Sequence, residues 1–406
     1  MPWGRTVEED RQQFLEEFAR AGANRREVCR RFEISPKAGY ALWARFQREG
    51  EAAVYDRSRR PRTSPGKLDP AVERRIIELR QERRRGARKL RWCLEHEGIR
   101  PVPAKSTIEA VLRRNGLISA EMSRRSEPYQ RFEYEAPNEL WQMDFKGHFA
   151  LQDGSRCHPL VVVDDHSRYL LALEACANER RTTVQPILTR VFRENGMPKR
   201  ILADNGAPWG RAGRWSFTLL EVWLMRLDIH AVHGRARHPQ TQGKTERLNR
   251  TLGEELELDF PGQDGAQAGF TGYRGYYNEE RPHEGIGMCL PAERYRPSDR
   301  AFPEQLPAVE YDQGQEVRRV QKGGWISYRG QTHRICRAFT GFQVSVRATT
   351  TDGVLGVYFC RQLIGRIDLR VESVTHVPGT PLPLCPGHTN SVGEGVHPSW
   401  RRIPSH

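Results

Sequence analysis

The sequence predicts a multidomain protein: two α-helical modules, then an α/β domain with a mixed sheet flanked by helices, then a small β-barrel. Its 406 residues are too many for one ordinary core. Apolar residues recur with helical spacing up to about residue 117, and with strand-like spacing after Asn138. The predicted segments are helical modules at 1–56 and 69–117, a basic linker at 57–68, a second linker at 118–136, the α/β domain with its following segment at 137–300, the barrel at 310–372 and a disordered tail at 373–406.

The positive charge is concentrated at the front of the chain. The formal net charge is +14, and residues 1–136 hold 31 Lys and Arg against 21 Asp and Glu, so +10 of the excess lies there. Such a basic segment favours a polyanionic partner, most simply nucleic acid, and double-stranded DNA is the partner to test. A merely solvated surface is the alternative, and charge alone does not separate the two.

The eight cysteines are scattered, without a Cys-x-x-Cys pair, which argues against a zinc ribbon and against a dense disulfide framework. The sequence has no apolar run near the length of about 18 residues that a membrane helix needs, and no secretory apolar core at its start. We therefore expect a cytoplasmic, nucleoid-associated protein.

Residues 6–50 are predicted to form three short helices in a helix-turn-helix arrangement. Ser35-Pro36 supplies an N-cap and a first-turn proline for the third helix. Because the second helix of a helix-turn-helix pair enters the major groove, Lys37 and Tyr40 near the start of this helix are candidate DNA contacts. A small helical bundle that binds no nucleic acid is the alternative.

The linker after this module is rich in arginine and interrupted by proline. Arg57, Arg59, Arg60 and Arg62 resemble the extended basic arms that lie in a narrow minor groove. An exposed linker with no DNA contact remains open.

Residues 69–117 repeat the three-helix plan. The third predicted helix runs roughly from Ala104 to Arg114, and Lys105 and Thr107 at its start are candidate DNA contacts. Two such modules in tandem can read a longer DNA site than one.

From Asn138 the pattern changes to strands, and helices and strands then alternate. This order is typical of a mixed sheet covered by helices. The predicted strands are Leu140–Leu151, Pro159–Val163, Tyr169–Leu173, Lys199–Leu202 and Ile229–Val232, and the predicted helices are Arg181–Asn195, Phe217–Leu227 and Thr245–Leu258.

Three carboxylates stand where such a fold would bring them to one point. Asp144 lies in a predicted strand, Asp204 at a strand's end and Glu246 in the first turn of a helix. Phosphodiester bonds are cut by in-line attack, which two Mg²⁺ ions about 3.5–4 Å apart promote. Mg²⁺ prefers oxygen ligands, so a few carboxylates suffice. We predict that all three residues are catalytic and bind two Mg²⁺ or Mn²⁺ ions, although a single aspartate in a strand is more often structural.

Four neighbouring residues are assigned other roles. Asp164 and Asp165 lie at a predicted hairpin turn, where Asp is favoured for backbone reasons, so they are excluded from the site. His238 and Lys244 precede Glu246 in a loop predicted to touch DNA. For His238, a phosphate or loop-structure role is favoured over metal ligation.

Residues 310–372 are predicted to form five short strands separated by turns, which suggests a small barrel. The predicted strands are Gly324–Tyr328, Gly330–Cys336, Phe342–Arg347, Gly353–Phe359 and Leu363–Asp368.

Three blocks of sequence carry the carboxylates: 141–145 (Trp-Gln-Met-Asp-Phe), 203–206 (Ala-Asp-Asn-Gly) and 238–249, which begins His-Pro-Gln and ends Glu-Arg-Leu-Asn. In combination they resemble the signature of DDE transposases of bacterial insertion sequences, with a retroviral-integrase-type catalytic core. Residues 277–284 and 291–295 resemble the segment that follows this core. The resemblance implies an RNase H-like fold, Mg²⁺-dependent cutting at transposon ends and strand transfer by the freed 3′-hydroxyl.

The sequence departs from that family in two places. Between Asp204 and Glu246 lie 41 residues, more than in the best-known members, and we assign the excess to Gly210–Trp215. Many members carry a basic residue seven positions after the glutamate, where this chain has Gly253. Arg250, one turn after Glu246, is the candidate for that phosphate contact.

The resemblance implies a transposase whose helix-turn-helix pair binds terminal inverted repeats and whose core cuts and joins DNA. At least two protomers would assemble on the two ends. The main alternative is a DNA-binding regulator with an inactive nuclease-like core, and a second is a nuclease that cuts without joining.

Overall fold

The computed structural model describes residues 6–57, 68–118, 132–210, 217–233, 243–370, 373–376 and 400–402. The chain divides into two compact units, residues 1–68 and residues 69–406. Some predictions lie outside the described residues: those for Arg59, Arg60, Arg62 and His238, for most of the Gly210–Trp215 stretch and for most of the tail.

The first unit is built from three helices at the predicted places: α1 (Val7–Ala19), α2 (Arg25–Arg31) and α3 (Pro36–Glu49). Ser35 caps α3, since its side chain accepts a hydrogen bond from Ala38 N at 3.2 Å. A Cβ at Gly39 would stand 2.5 Å from Cys29 Sγ, so α2 and α3 approach where a side chain would not fit. The core of this unit is aromatic, with Phe14 and Phe18 fully buried.

The second unit begins with the other predicted helical module: α4 (Pro70–Arg83), α5 (Ala87–His96) and α6 (Lys105–Arg114). This module is attached to the α/β domain through basic side chains. The buried Arg85 donates from Nε to the Tyr276 hydroxyl at 3.3 Å, and the ammonium of Lys89 lies 3.6 Å from the Glu255 carboxylate. Part of the basic charge of this module is therefore used inside the protein.

The strands of the α/β domain are β1 (Phe132–Tyr134), β2 (Trp141–Phe145), β3 (Phe149–Ala150), β4 (Arg156–Asp164), β5 (Leu170–Cys176), β6 (Arg200–Ala203) and β7 (His230–His233). All but β1 form the predicted mixed sheet, in the order β5–β4–β2–β6–β7 with the short β3 on β4. Strand β2 pairs antiparallel with β4 and parallel with β6, and β6 pairs parallel with β7. The single strand predicted over Leu140–Leu151 is broken between β2 and β3, where Gly147 has a φ of +90°.

Helices cover both faces of this sheet. They are α7 (Arg181–Asn195), α8 (Leu219–Arg226), α9 (Gly243–Glu255), α10 (Gln263–Glu279) and the short α11 (Pro291–Arg294). Trp141 and Met143 of β2 pack in the cluster that includes α7 and α8, whereas α9 and α10 pack on the opposite face. Because side chains alternate along a strand, Gln142 and Asp144 belong to the face that α9 covers.

The C-terminal segment is all-β, as predicted, but its described strand pairs do not close a barrel. The strands are β8 (Glu316–Arg319), β9 (Trp325–Tyr328), β10 (Gln331–Arg334), β11 (Gln343–Ala348), β12 (Val354–Phe359), β13 (Gln362–Asp368) and β14 (Ser373–His376), while β15 (Trp400–Arg402) pairs with β1. Five of them form an antiparallel sheet in the order β14–β13–β12–β11–β8, and β9 pairs with β10 in a separate two-stranded sheet. The core of this segment packs on Val222 and Met225 of α8.

In the described ranges, every helix is too short or too polar to cross a membrane.

Candidate active site

The structure places Asp144 and Asp204 side by side at the ends of neighbouring parallel strands. Trp141 pairs with Ile201 and Gln142 with Leu202, and the same register, continued by two residues, brings Asp144 opposite Asp204. Both side chains are half-buried. Two of the three predicted carboxylates are therefore brought together by the sheet itself.

The Asp144 carboxyl lies in a strongly perturbing environment. Burial, and then the negative charge of Asp204, raise the pKa of Asp144 from 3.8 to about 6, with a smaller contribution from Glu179. Asn249, on α9, partly opposes this shift by donating from Nδ2 to Asp144 Oδ2 at 3.0 Å. Two carboxylates that repel each other at a half-buried position fit a divalent cation, which would relieve the repulsion.

The loop after β6 is held by short polar contacts. Asp204 Oδ1 accepts a hydrogen bond from Gly206 N at 3.0 Å, and the Asp204 carbonyl oxygen lies 2.9 Å from His233 Nδ1. The other ring nitrogen of His233 lies 2.9 Å from Glu221 Oε1. Burial lowers the pKa of His233, but Glu221 and Asp204 together outweigh that effect and the net shift of the pKa is upward. A protonated His233 would donate to both oxygens and fix the backbone at Asp204.

Glu246 lies on α9, as predicted, but its side chain points outward and is 64% exposed. Its charged partner in the described residues is Arg250, whose Nη2 is 3.9 Å from Glu246 Oε1. Within the described part of the chain, no three His, Cys, Asp or Glu side chains are grouped so that they could hold a metal ion. An exposed ion pair of this length is weak, so little holds Glu246 in this rotamer.

The excluded aspartates have structural partners. Asp164 accepts from Ser167 N, Ser167 Oγ and Asn138 N, at 2.8, 2.6 and 2.8 Å, and so shapes the turn between β4 and β5. The buried Asp165 forms an ion pair with Lys244. Burial lowers the pKa of Lys244 to about 8 despite that pairing. Lys244 therefore faces the protein interior, and its predicted contact with DNA stays a prediction.

Lys146 places a positive charge beside Gly253, the position at which many DDE transposases carry a basic residue. A Cβ built on Gly253 would be 3.5 Å from Lys146 Nζ, so the ammonium of Lys146 lies against the bare backbone of α9. Lys146 follows Asp144 by two residues and comes directly after β2. Its ammonium therefore lies on the face of α9 that meets the site.

The remaining candidate DNA contacts in the described ranges lie at the surface. Lys37, Tyr40, Arg57 and Lys105 are exposed, and Thr107 is half-buried. Arg57 pairs with Glu49, and Lys105 lies 3.2 Å from Glu109. The Tyr40 ring also packs edge-on against Phe18, so its role is partly structural.

Asn249, Glu179 and His233 are residues of this site that the sequence interpretation did not single out. Asn249 carried a signal, because it lies three positions after Glu246 and thus on the same helix face. Glu179 and His233 carried none, since their proximity to Asp144 and Asp204 depends on how the strands pair.

Replacing Asp144 by Asn is expected to stabilise the metal-free protein at neutral pH. A carboxyl whose pKa rises from 3.8 to about 6 on folding does not lower the free energy of unfolding below pH 3.8, and lowers it most above pH 6. Because Asp144 is partly exposed, we expect a gain of only about 1–3 kcal/mol at pH values above the shifted pKa. Thermal unfolding in EDTA at about pH 5 and about pH 7.5 measures it, and the gain should shrink at the lower pH. The exposed control Asp153→Asn should give no gain; a gain that is independent of pH would contradict burial and charge repulsion as its cause.

Five family models match segments of the chain. They are described as a helix-turn-helix domain (residues 10–62), a homeodomain-like domain (38–112), an integrase core domain (134–239), a second integrase core domain (227–291) and the C-terminal domain of IS481 family transposases (315–375). The predicted helix-turn-helix modules and integrase-type core are thereby confirmed.

The chain is also similar to individual proteins. The chain is 29% identical over 238 residues to the "Insertion element IS407 uncharacterized 31.7 kDa protein" of Burkholderia multivorans, covering 56% of this chain and 82% of that protein. It is 27% identical over 121 residues to the Gag-Pol polyprotein of Avian reticuloendotheliosis virus, covering 30% of this chain but only 10% of the polyprotein. A simian T-cell lymphotropic virus intasome aligns at 14% identity with a TM-score of 0.32, covering 77% of this chain and 99% of that one.

Helix-turn-helix domains, an integrase core and an IS481-type C-terminal domain follow one another along the chain, and the first two are in the order that the sequence predicts. Segment by segment, the chain therefore resembles the transposases of insertion sequences that have a retroviral-integrase-type core.

Proposed function

We propose that this chain binds the terminal inverted repeats of a mobile element, cuts the DNA there and joins the 3′-hydroxyl ends to target DNA. The observation that carries the proposal is the pair of half-buried carboxylates, Asp144 and Asp204, on adjacent strand ends within the segment that matches an integrase core. The match to an insertion element protein of Burkholderia multivorans supports a mobile element as the source of the DNA.

Asp144 and Asp204 would hold divalent metal ions, with Glu246 as the third ligand. When bound, two Mg²⁺ or Mn²⁺ ions would activate the attacking oxygen and neutralise charge on the leaving oxygen. Asn249 orients Asp144 Oδ2, and His233 fixes the backbone at Asp204. Lys146 presents a cation beside α9 that suits a DNA phosphate. Joining two ends in one reaction requires at least two protomers on the DNA.

The test uses the full chain and labelled duplexes that end in the element's own terminal repeats. We expect nicking at the repeat boundary and a joined product in Mg²⁺, and neither with EDTA or with a scrambled repeat. Pre-cut ends separate the candidate activities, because a nuclease that does not join would leave them unchanged. A protein that binds the ends but never cuts or joins them in Mg²⁺ or Mn²⁺ would overturn the proposal.

That last outcome is what a DNA-binding regulator with an inactive core would give. One observation favours this second candidate: Glu246 points outward, away from a three-carboxylate grouping. A stable shift of labelled repeat DNA, unchanged by Mg²⁺ and without products, would support it.

Lys37→Ala is expected to weaken binding to the repeat ends. Lys37 is exposed in the first turn of α3, the second helix of the first helix-turn-helix pair, where an ammonium can reach a phosphate. Losing one phosphate contact should lower the slope of log affinity against log salt by about one. Fluorescence anisotropy at several KCl concentrations measures the slope. Lys199→Ala, an exposed lysine paired with Glu139 in the core domain, is the matched control and should leave it unchanged.

A further inference from the structure

We infer that Asp165 is a positioning residue, which joins the strand of Asp144 to the helix of Glu246 through Gln142 and Lys244. Three contacts of Asp165 define the geometry of this link. Its effect on metal binding and catalysis rests on the proposed function.

One carboxylate oxygen of Asp165 accepts hydrogen bonds from both Gln142 and Lys244. Gln142 Nε2 donates to Asp165 Oδ1 at 2.7 Å, and the Lys244 ammonium donates to the same oxygen. The other oxygen accepts from Tyr134 N at 3.0 Å. Asp165 is only 3% exposed, so water competes little for these bonds and each is strong.

The two donors stand two residues before the proposed metal ligands. Gln142 precedes Asp144 on the same face of β2, and Lys244 precedes Glu246 in the first turn of α9. Helix α9 is therefore attached to β2 at two places: at Lys244 through Asp165, and at Asn249 through Asp144. Glu246 lies between these two attachments.

The support beneath Asp165 is itself fixed. Asp165 N donates to Leu140 O at 3.0 Å, which ties its backbone to the residue before β2, and Tyr134 N holds the second carboxylate oxygen. A buried charge pair on such a support can set where the first turn of α9 lies relative to β2. Losing it would let Glu246 drift from Asp144 and would weaken metal binding by about tenfold to hundredfold, the range found for residues that orient metal ligands.

The test measures Mn²⁺ binding to the full chain by titration calorimetry, and strand transfer at varied Mg²⁺. Lys244→Met and Asp165→Asn should each weaken Mn²⁺ binding and raise the Mg²⁺ concentration for half-maximal activity by about tenfold or more. For Asp165→Asn, which removes no predicted DNA contact, the affinity for repeat DNA should be unchanged. The double variant should lose no more than the single ones, since both break one link. Lys244→Arg, which keeps the charge, should restore most of the loss.

Asp164→Asn is the matched control. It removes a neighbouring buried carboxylate that contacts neither Gln142 nor Lys244, so it should lower the unfolding temperature while leaving Mn²⁺ affinity intact. Should Lys244→Met or Asp165→Asn prove unstable, Gln142→Met, which removes the other donor to Asp165 Oδ1, tests the link and should also weaken Mn²⁺ binding. Wild-type Mn²⁺ affinity in folded Lys244→Met or Asp165→Asn would overturn the inference. Wild-type protein that binds Mn²⁺ but does not cut or join DNA would instead overturn the proposed function.

Discussion

Asp204→Asn is expected to abolish strand transfer, with a loss of at least about a thousandfold, or about 4 kcal/mol of transition-state stabilisation. Asn keeps the size of the side chain and can still accept the hydrogen bond from Gly206 N, so the loop should persist. What disappears is the negative charge beside Asp144, which both raises the pKa of that neighbour and would bind the metal.

Three further measurements make this expectation specific. Asp144→Asn and Glu246→Gln should give losses of the same order, because each removes one proposed ligand. End binding by anisotropy should stay near the wild-type value for all of them. Asp228→Asn is the matched control, since Asp228 is an exposed aspartate in the turn between α8 and β7, and it should be fully active. Mg²⁺-dependent joining that survives in Asp204→Asn would remove Asp204 from the site.

Arg281→Met is expected to lower the free energy of unfolding of the second unit by about 3–5 kcal/mol. The Arg281 guanidinium donates three hydrogen bonds of 2.8–3.1 Å to Glu255, at the end of α9, and the two side chains are only 5% and 6% exposed. Removing the cation leaves a buried carboxylate whose remaining cation, Lys89, is 3.6 Å away. An uncompensated buried charge is costly, and methionine cannot offset it.

Urea unfolding followed by tryptophan fluorescence measures this loss. The triple variant Lys89→Met/Glu255→Leu/Arg281→Met should recover most of it, because a buried group of paired charges replaced as a whole costs little. Arg193→Ala, which breaks the exposed pair with Glu304, should leave the midpoint unchanged. Equal effects of Arg281→Met and Arg193→Ala would contradict the importance of burial for this ion pair.

The order of elements, and the proximity of Asp144 to Asp204, could be predicted because both depend on local pattern. Asp204 ends an apolar β-prone run, and Asp144 lies within another. Once those strands pair in parallel, their ends must meet. The orientation of Glu246 could not be predicted in this way, since helical spacing fixes a position along α9 but not the rotamer or the partner.

Lys244 illustrates the same limit. Its place in a basic loop before Glu246 favoured contact with DNA, yet it lies against Asp165, which precedes it by 79 residues. Whether the barrel closes could not be predicted from local pattern either, because closure depends on pairing between β8 and β14 across the whole segment. In the described residues these two strands are the two edges of the sheet. Counting charges in the sequence also overestimated the number of basic side chains at the surface, since Arg85 and Lys89 bind Tyr276 and Glu255 inside the protein.

The attachment of the second helical module to α10 affects how the protein can be divided. Arg83 lies 4.5 Å from the centre of the Tyr276 ring, Arg85 bonds to its hydroxyl, and Lys89 faces Glu255. A shortened protein that starts at Phe132 would strip these cations from Tyr276 and Glu255, leaving a buried aromatic surface open to water. Such a fragment should be less soluble and less stable than one that starts at Asp69. A fragment made to isolate the catalytic part should therefore begin before α4.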